Sequence, residues 1–159
     1  MELISRKGLI CDFEAVLELK KQVHNFHYSI RSDFYNYSEL PIEKHEFENI
    51  HKNESYNVFV VELNRNISGY SITKVISFVN NPLIKNHKRL FIDDICVDPG
   101  YRKMGIGKFI LDNLETICKS NNYSYLDLNV WNFNKSAIEF HKKNGISETI
   151  IRMEKALDE

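Results

Sequence analysis

Among its 159 residues the chain has no run approaching the ~20 consecutive apolar residues that a membrane-crossing helix needs. Its first stretch, MELISRKGLICDF, lacks the uninterrupted apolar segment of a secretory leader. A soluble cytoplasmic protein with no membrane partner is therefore expected. Cysteine is scarce and odd in number: Cys11, Cys96 and Cys118 lie far apart in apolar stretches, which suits buried thiols in a reducing compartment and excludes a disulfide framework. No zinc-ligand spacing occurs, so no metal is expected. Charge of one sign is also lacking. The formal charge is −1, the pI is about 6.6, and Lys and Arg are spread without a dense block, which argues against a nucleic-acid partner. No repeat, low-complexity tract or Pro/Gly/Ser-rich linker divides the chain. A single domain over residues 1–159 is expected, long enough to bury about 68–70% of its unfolded surface.

What is present is a change of period along the chain. Short strands are read at residues 3–5 and 9–11. Apolar residues at 13, 16, 17, 19, 23 and 26 then follow a helical period over residues 13–30, with Asp12 as N-cap. A second helix is predicted over residues 41–51, with Pro41 at its first position. Residues 56–63 (YNVFVVEL) and 67–79 (ISGYSITKVISFV) read as strands joined by a hairpin at 64–66. After a loop at 80–88 come a strand at 89–97, a helix at 105–120, a strand at 125–130, a helix at 134–144 closed by Gly145, and a last strand at 146–155. A meander followed by alternating strands and helices indicates a mixed α/β or α+β sheet covered by helices. Strand 89–97, helix 105–120 and strand 125–130 have the size of a right-handed crossover between parallel strands.

The junction VDPGYRKMGIG, residues 97–107, needs explaining because glycine costs roughly 1 kcal/mol against alanine inside a helix. A helix start presents unpaired N–H groups and partial positive charge, a natural seat for phosphate. Glycines at 105 and 107 would let phosphates reach the backbone, and Arg102 adds a forked cation. The other reading is a plain strand-to-helix turn. No GK[ST] follows and the pattern is not GxGxxG, so neither a P-loop nor a dinucleotide fold is indicated.

VDPGYRKMGIGKFIL and LDLNVWNFNKSAIEFHKKNGI together resemble the GNAT superfamily of acyl-CoA-dependent N-acyltransferases, the first matching its Arg-x-x-Gly-x-Gly motif and the second its following strand and helix. The resemblance implies a central, mostly antiparallel sheet with splayed strands flanked by helices, and acetyl-CoA as cofactor. It implies a pyrophosphate resting on the backbone of Arg102, Lys103, Met104, Gly105, Ile106, Gly107 and Lys108. Pantetheine would pair with Ile95, Cys96 and Val97, the Val97 amide would face the thioester oxygen, and Asn134 would contact the cofactor. The acceptor would be a primary amine of a small molecule or peptide, attacked on directly in a ternary complex. Pairing of family members through sheet edges or terminal strands implies a homodimer. The alternative is a catalytically lapsed acyl-CoA-binding sensor or structural module of the same fold.

An alkylammonium near pKa ~10.4 must lose a proton before it can attack. Asp93 and Asp94 are adjacent on strand 89–97, so alternation predicts opposite faces, with Asp93 as the base or water-ordering group and Asp94 as second choice. Otherwise, one of them caps a loop or pairs with Arg89 or Lys88. Family members often carry a tyrosine in the last helix as acid for the departing thiolate. His141 stands there instead, on one helix face with Asn134 and Ala137, and is either that acid or an ordinary packing residue, water then supplying the proton. The family's acceptor segment corresponds to HNFHYSIRSDFYNYSEL. Its residues His27, Tyr28 and Arg31, with Asp93 and Asp94, are candidates for holding the amine, Asp33 and Tyr35 being further polar or aromatic positions there. Trp131 is read as a packing residue.

Overall fold

The computed structural model describes residues 2–157, divided after Asn129 into two compact units. The first contains β1 (Leu3–Lys7), a 3-10 turn (Ile10–Asp12), α1 (Phe13–Ile30), α2 (Lys44–Lys52), β2 (Tyr56–Leu63), β3 (Asn66–Phe78), β4 (His87–Val97), a second 3-10 turn (Pro99–Tyr101), α3 (Ile106–Ser120) and β5 (Tyr125–Leu128). Its sheet has the order β1-β2-β3-β4-β5; only β4 and β5 run parallel, joined by the α3 crossover. The meander arises from local chemistry. Asn64 and Arg65 both take positive φ in the two-residue link between β2 and β3, the backbone that a tight hairpin requires.

One face of this sheet carries the larger core. Val58 and Val60 of β2, Tyr70 and Ile72 of β3 and Cys96 of β4 pack with Phe13, Val16, Leu17 and Leu19 of α1 and Phe47 of α2. Burying each such side chain contributes about 1.5–3 kcal/mol. The other face is covered by α3, whose Ile106, Ile110, Leu111, Leu114 and Cys118 are buried. Gly69 permits that layer to close down: a Cβ there would sit 3.0 Å from the Cys96 carbonyl oxygen and 3.3 Å from both Ile106 Cγ2 and Ile110 Cδ1.

Strand β4 changes layers part-way. Its register runs Thr73 opposite Ile92 but Ile72 opposite Asp94, so Asp93 is an inserted residue, a β-bulge. Before it, Leu90 and Ile92 share the face of Thr73 and Val75; after it, Asp94 and Cys96 share the face of Ile72 and Tyr70. Strict alternation would have kept these even-numbered residues together.

The second unit holds α4 (Lys135–Lys143). Asn134 caps it, its Oδ1 accepting from the Ala137 amide at 3.2 Å. It ends in a Schellman closure around Gly145 at φ +84°, the Gly145 amide donating to the Lys142 carbonyl (3.1 Å) and the Ile146 amide to the His141 carbonyl (3.0 Å).

Several boundaries correct the sequence reading. The expected strand 9–11 is the first 3-10 turn, and α2 begins at Lys44, three residues beyond Pro41, with Glu43 and Glu46 forming its capping box. Asp12 does precede α1 but does not cap it, because Arg6 Nη1 (2.7 Å), Arg6 Nη2 (3.0 Å) and the Leu9 amide (2.7 Å) occupy its carboxylate. That charge-assisted bonding to Arg6 holds the Asp12 carboxyl below its usual range, against the opposing effect of burial. No strand forms at 146–155, where Ile150, Ile151 and Met153 are exposed.

Candidate active site

Two features of the first unit meet along β4. The first is the start of α3. Asp98 shapes the turn before it, its Oδ1 accepting from the Gly100 amide at 2.7 Å and its carbonyl from the Tyr101 amide at 2.9 Å. Lys103 (φ +64°) and Gly105 (φ +84°) then take left-handed conformations, which turn the backbone into the helix. Glycine suits the second position because any other L residue is strained there. A Cβ on Gly105 would meet nothing within 4 Å, so space lies open in front of the helix end. The amides from Lys103 to Lys108 have no protein acceptor among the described residues. Exposed Arg102 and Lys103 stand beside them. Bare N–H groups at the positive end of a helix dipole, flanked by cations, are chemistry for a phosphate-type anion.

Beside this seat β4 loses a neighbour. Arg89 to Ile92 pair with Tyr125 to Leu128, and there the β4–β5 ladder stops. Ile95, Cys96 and Val97 keep β3 on one side, opposite Ser71, Tyr70 and Gly69, and have no strand on the other among the described residues. An extended ligand could add itself to that edge.

The second feature is a cleft of about 320 Å³ lined by Lys20, Val23, His24 and His27 of α1, Tyr35 and Pro41 of the following loop, and Asp93 and Asp94 of the bulge. The expectation that the two aspartates face opposite ways is thus corrected. Asp94 stands opposite Ile72, Asp93 is the residue inserted beside it, and both line the same cleft. Their situations differ. Asp93 is exposed, whereas Asp94 Oδ2 accepts from Lys20 Nζ at 2.5 Å and from Tyr70 Oη at 2.7 Å. Tyr70 is fully buried, and burial, followed by the Asp94 charge, raises its hydroxyl well above the usual range, so it remains a donor. Cys96 is pushed up to about 12 by burial and then by Asp94, which leaves its thiol protonated and unreactive.

The two histidines are set by aromatic and backbone contacts. His24 Nε2–H donates to the Asn36 carbonyl at 2.9 Å, and the His27 ring stacks on Tyr35 with centroids 5.7 Å apart and planes inclined by 18°. Burial lowers the His27 imidazole below its ordinary range; Asp94 pulls the other way, while His24 and Lys20 lower it further.

Comparison with known proteins decides the family. The family model described as acetyltransferase (GNAT) matches residues 24–146, most of the chain. The chain belongs to the GNAT acetyltransferase family. Solved structures share its fold. The BH1408 protein of Bacillus halodurans, in a tetramutant form, is 28% identical over 97% of this chain and 99% of its own, with a TM-score of 0.94. Glucosamine-6-phosphate N-acetyltransferase of Arabidopsis thaliana shares the fold at 23% identity and TM-score 0.70, covering 99% and 100% of the two chains. So does an aminoglycoside acetyltransferase from an uncultured soil metagenomic sample, crystallised with sisomicin, at 16% identity, TM-score 0.70 and coverage of 98% and 97%.

Within this GNAT fold the residues expected at the site do not all gather. Arg102 to Lys108 lie at the start of α3, Ile95 to Val97 along the open edge of β4, and Asp93, Asp94 and His27 line the cleft. Tyr28 and Arg31 do not line it: Tyr28 packs edge-on against Tyr37, and Arg31 is engaged with Asp33 at 2.9 Å. Asn134 and His141 belong to the second unit. The Asn134 oxygen caps α4, and burial alone lowers the imidazole of His141. Trp131 stacks on Phe133 at 5.6 Å, as a packing residue does. Lys20, His24 and Tyr70 were not singled out, His24 having been covered only as the first residue of the acceptor segment. A signal existed for the first two: Lys20, His24 and His27 stand at i, i+4 and i+7, continuing in polar residues the inward face that Val16 and Val23 begin. Among the described residues no group of metal-ligating side chains collects and no helix is long and apolar enough to cross a membrane.

Proposed function

We propose that the whole chain is one acetyl-CoA-dependent N-acetyltransferase domain that acts on a primary amine of a small molecule or peptide, by direct attack while both substrates are bound. The observation that carries this reading is the row of unpartnered amides from Lys103 to Lys108 beside the open edge of β4, next to a cleft holding two carboxylates. Those residues fit the cofactor: Gly105 leaves open space where a Cβ would intrude, and the amides would hold a pyrophosphate with Arg102 alongside. Ile95 to Val97 would pair with pantetheine, and the Val97 amide would donate to the thioester oxygen, a contact of a kind that can matter by about 10²–10³ in rate. When bound, acetyl-CoA supplies the activated acetyl group.

The cleft supplies the acceptor side. Exposed Asp93 draws in the ammonium and orders water around it, while Asp94 is held by Lys20 and Tyr70 as a fixed negative charge. The proton for the departing thiolate is assigned to solvent and the amine, not to His141, because a buried and uncharged imidazole has no surplus proton to give at neutral pH.

The test is calorimetric titration with CoA together with thiol release from acetyl-CoA across polyamines, aminoglycosides, amino acids and peptide N-termini. Saturable binding with turnover on at least one amine is expected. Binding with no turnover on any of them would instead mark a sensor of acyl-CoA.

A further inference from the structure

Resting on that reading, we propose that Lys20 sets the acceptor class: by pairing with Asp94 it leaves Asp93 as the uncompensated charge of the cleft, which therefore takes an amine with a single positive charge and disfavours diamines, polyamines and aminoglycosides. Two adjacent carboxylates, Asp93 and Asp94, would on charge alone suit a doubly cationic acceptor. The fold does not leave both of them free. Lys20 Nζ donates to Asp94 Oδ2 at 2.5 Å, and Tyr70 Oη donates to the same oxygen at 2.7 Å. The side chains of Lys20 and Asp94 are only 25% and 12% exposed, so solvent screens their pair less than a surface ion pair. Asp93 is exposed and has no hydrogen-bond or ion-pair partner among the described residues.

The number of seats follows. The acidic and basic side chains lining the cleft, apart from its histidines, are Lys20, Asp93 and Asp94, one cation against two anions. The acceptor ammonium settles against Asp93. A second ammonium on the same molecule finds no carboxylate of its own, because Asp94 receives it only by giving up Lys20 Nζ. Left unpaired, it shares with the Lys20 ammonium a cleft of about 320 Å³, at the small end of the ~300–1,000 Å³ usual for ligand sites. Like charges held that close repel.

The test compares butylamine with putrescine, which share a four-carbon chain and differ by one ammonium. Each is titrated into the full-length protein in the presence of CoA at pH ~8, above the ordinary imidazole value of ~6.5 and below the alkylammonium value of ~10.4. Kd is read from backbone amide NMR shifts, and kcat/KM with acetyl-CoA is measured alongside. The parental protein is expected to favour butylamine. Lys20→Met, similar in length and uncharged, should move the ratio toward putrescine by about tenfold. Lys20→Arg keeps the charge and should keep the preference for butylamine. Asp94→Asn should move the ratio the other way, since Lys20 then lacks its counter-charge, and this arm decides if Lys20→Met fails to fold.

A parental preference for putrescine, or a ratio left in place by Lys20→Met or by Asp94→Asn, overturns the role of Lys20. So does a Lys20→Arg protein that behaves like Lys20→Met, which would make side-chain shape the discriminator. Failure of both amines to bind overturns the cleft as acceptor site and the role of Lys20 with it. Binding with the expected shifts of ratio but no turnover on any amine overturns the transferase reading alone.

Discussion

The start of α3 and the cleft beside α1 adjoin the same strand and are built on opposite plans. At α3 the working groups are main-chain amides, and the side chains matter by being small or absent: Gly105 adopts φ +84° and leaves the space before it open. In the cleft the working groups are side chains drawn from three segments and already engaged with one another, as Lys20, Tyr70 and Asp94 are. A backbone site should tolerate loss of the charges around it but not a change of main-chain shape. A side-chain site should do the reverse.

The largest expected effect breaks the first plan. Gly105→Val puts a β-branched residue in the left-handed region, at a cost of about 1–2 kcal/mol or more, and lodges methyl groups where the anion would sit. CoA binding by calorimetry should weaken by ~10² or more while the circular dichroism of the folded chain persists; retained affinity would remove the backbone seat. Next comes Asp93→Asn, expected to lower kcat/KM for the amine by roughly tenfold or more, equivalent to ~1.4 kcal/mol, without changing CoA affinity. Loss of both together would mean that the two regions are not separable. Arg102→Ala should weaken CoA by less than about tenfold, since an exposed cation only assists amides that remain in place. A loss as large as that of Gly105→Val would make the seat a side-chain site after all. Tyr70→Phe removes one of two donors to Asp94 and should cost about 1 kcal/mol, read as a fall in Tm of ~2–4 °C for a chain of this size. The smallest effect is on stability against pH. Because the folded-state pKa of His27 is lowered, the unfolded chain binds its proton more readily; the contribution is complete above the ordinary value of ~6.5 and is lost as pH falls through the lower folded value. His27→Gln should flatten that limb of a urea-midpoint profile.

The two regions also differed in how far they could be read from the chain. The strand, turn and helix at the start of α3 were legible because they are local: a strand, a turn with Gly105 in it and an amphipathic helix are consecutive in sequence. The same holds for α1, whose apolar period marked Phe13–Ile30, and for the hairpin at Asn64 and Arg65. The cleft was only half legible. Asp93, Asp94 and His27 could be named as chemistry, but a strand of period two predicts opposite faces for neighbours, and nothing in RLFIDDIC announces an inserted residue. The bond from Lys20 to Asp94 joins residues 74 apart, and Tyr70 reads as an ordinary member of a buried strand. The segment 146–155 failed for a related reason. Its β-branched and apolar residues suit a strand, yet such composition states only a preference for burial, and a strand also needs a ladder to join.

The bulge at Asp93 has a further consequence for how such a protein can change. Because Ile72 already stands opposite Asp94 and Tyr70 opposite Cys96, excising Asp93 would close the ladder and leave both pairings where they are. The cleft would drop one anionic charge while the hydrophobic layer beneath it kept every partner. Electrostatic valence and interior fit are therefore governed by separate positions of a single strand, and the charge of the cleft can change by adding or removing one residue, without the interior having to be rebuilt.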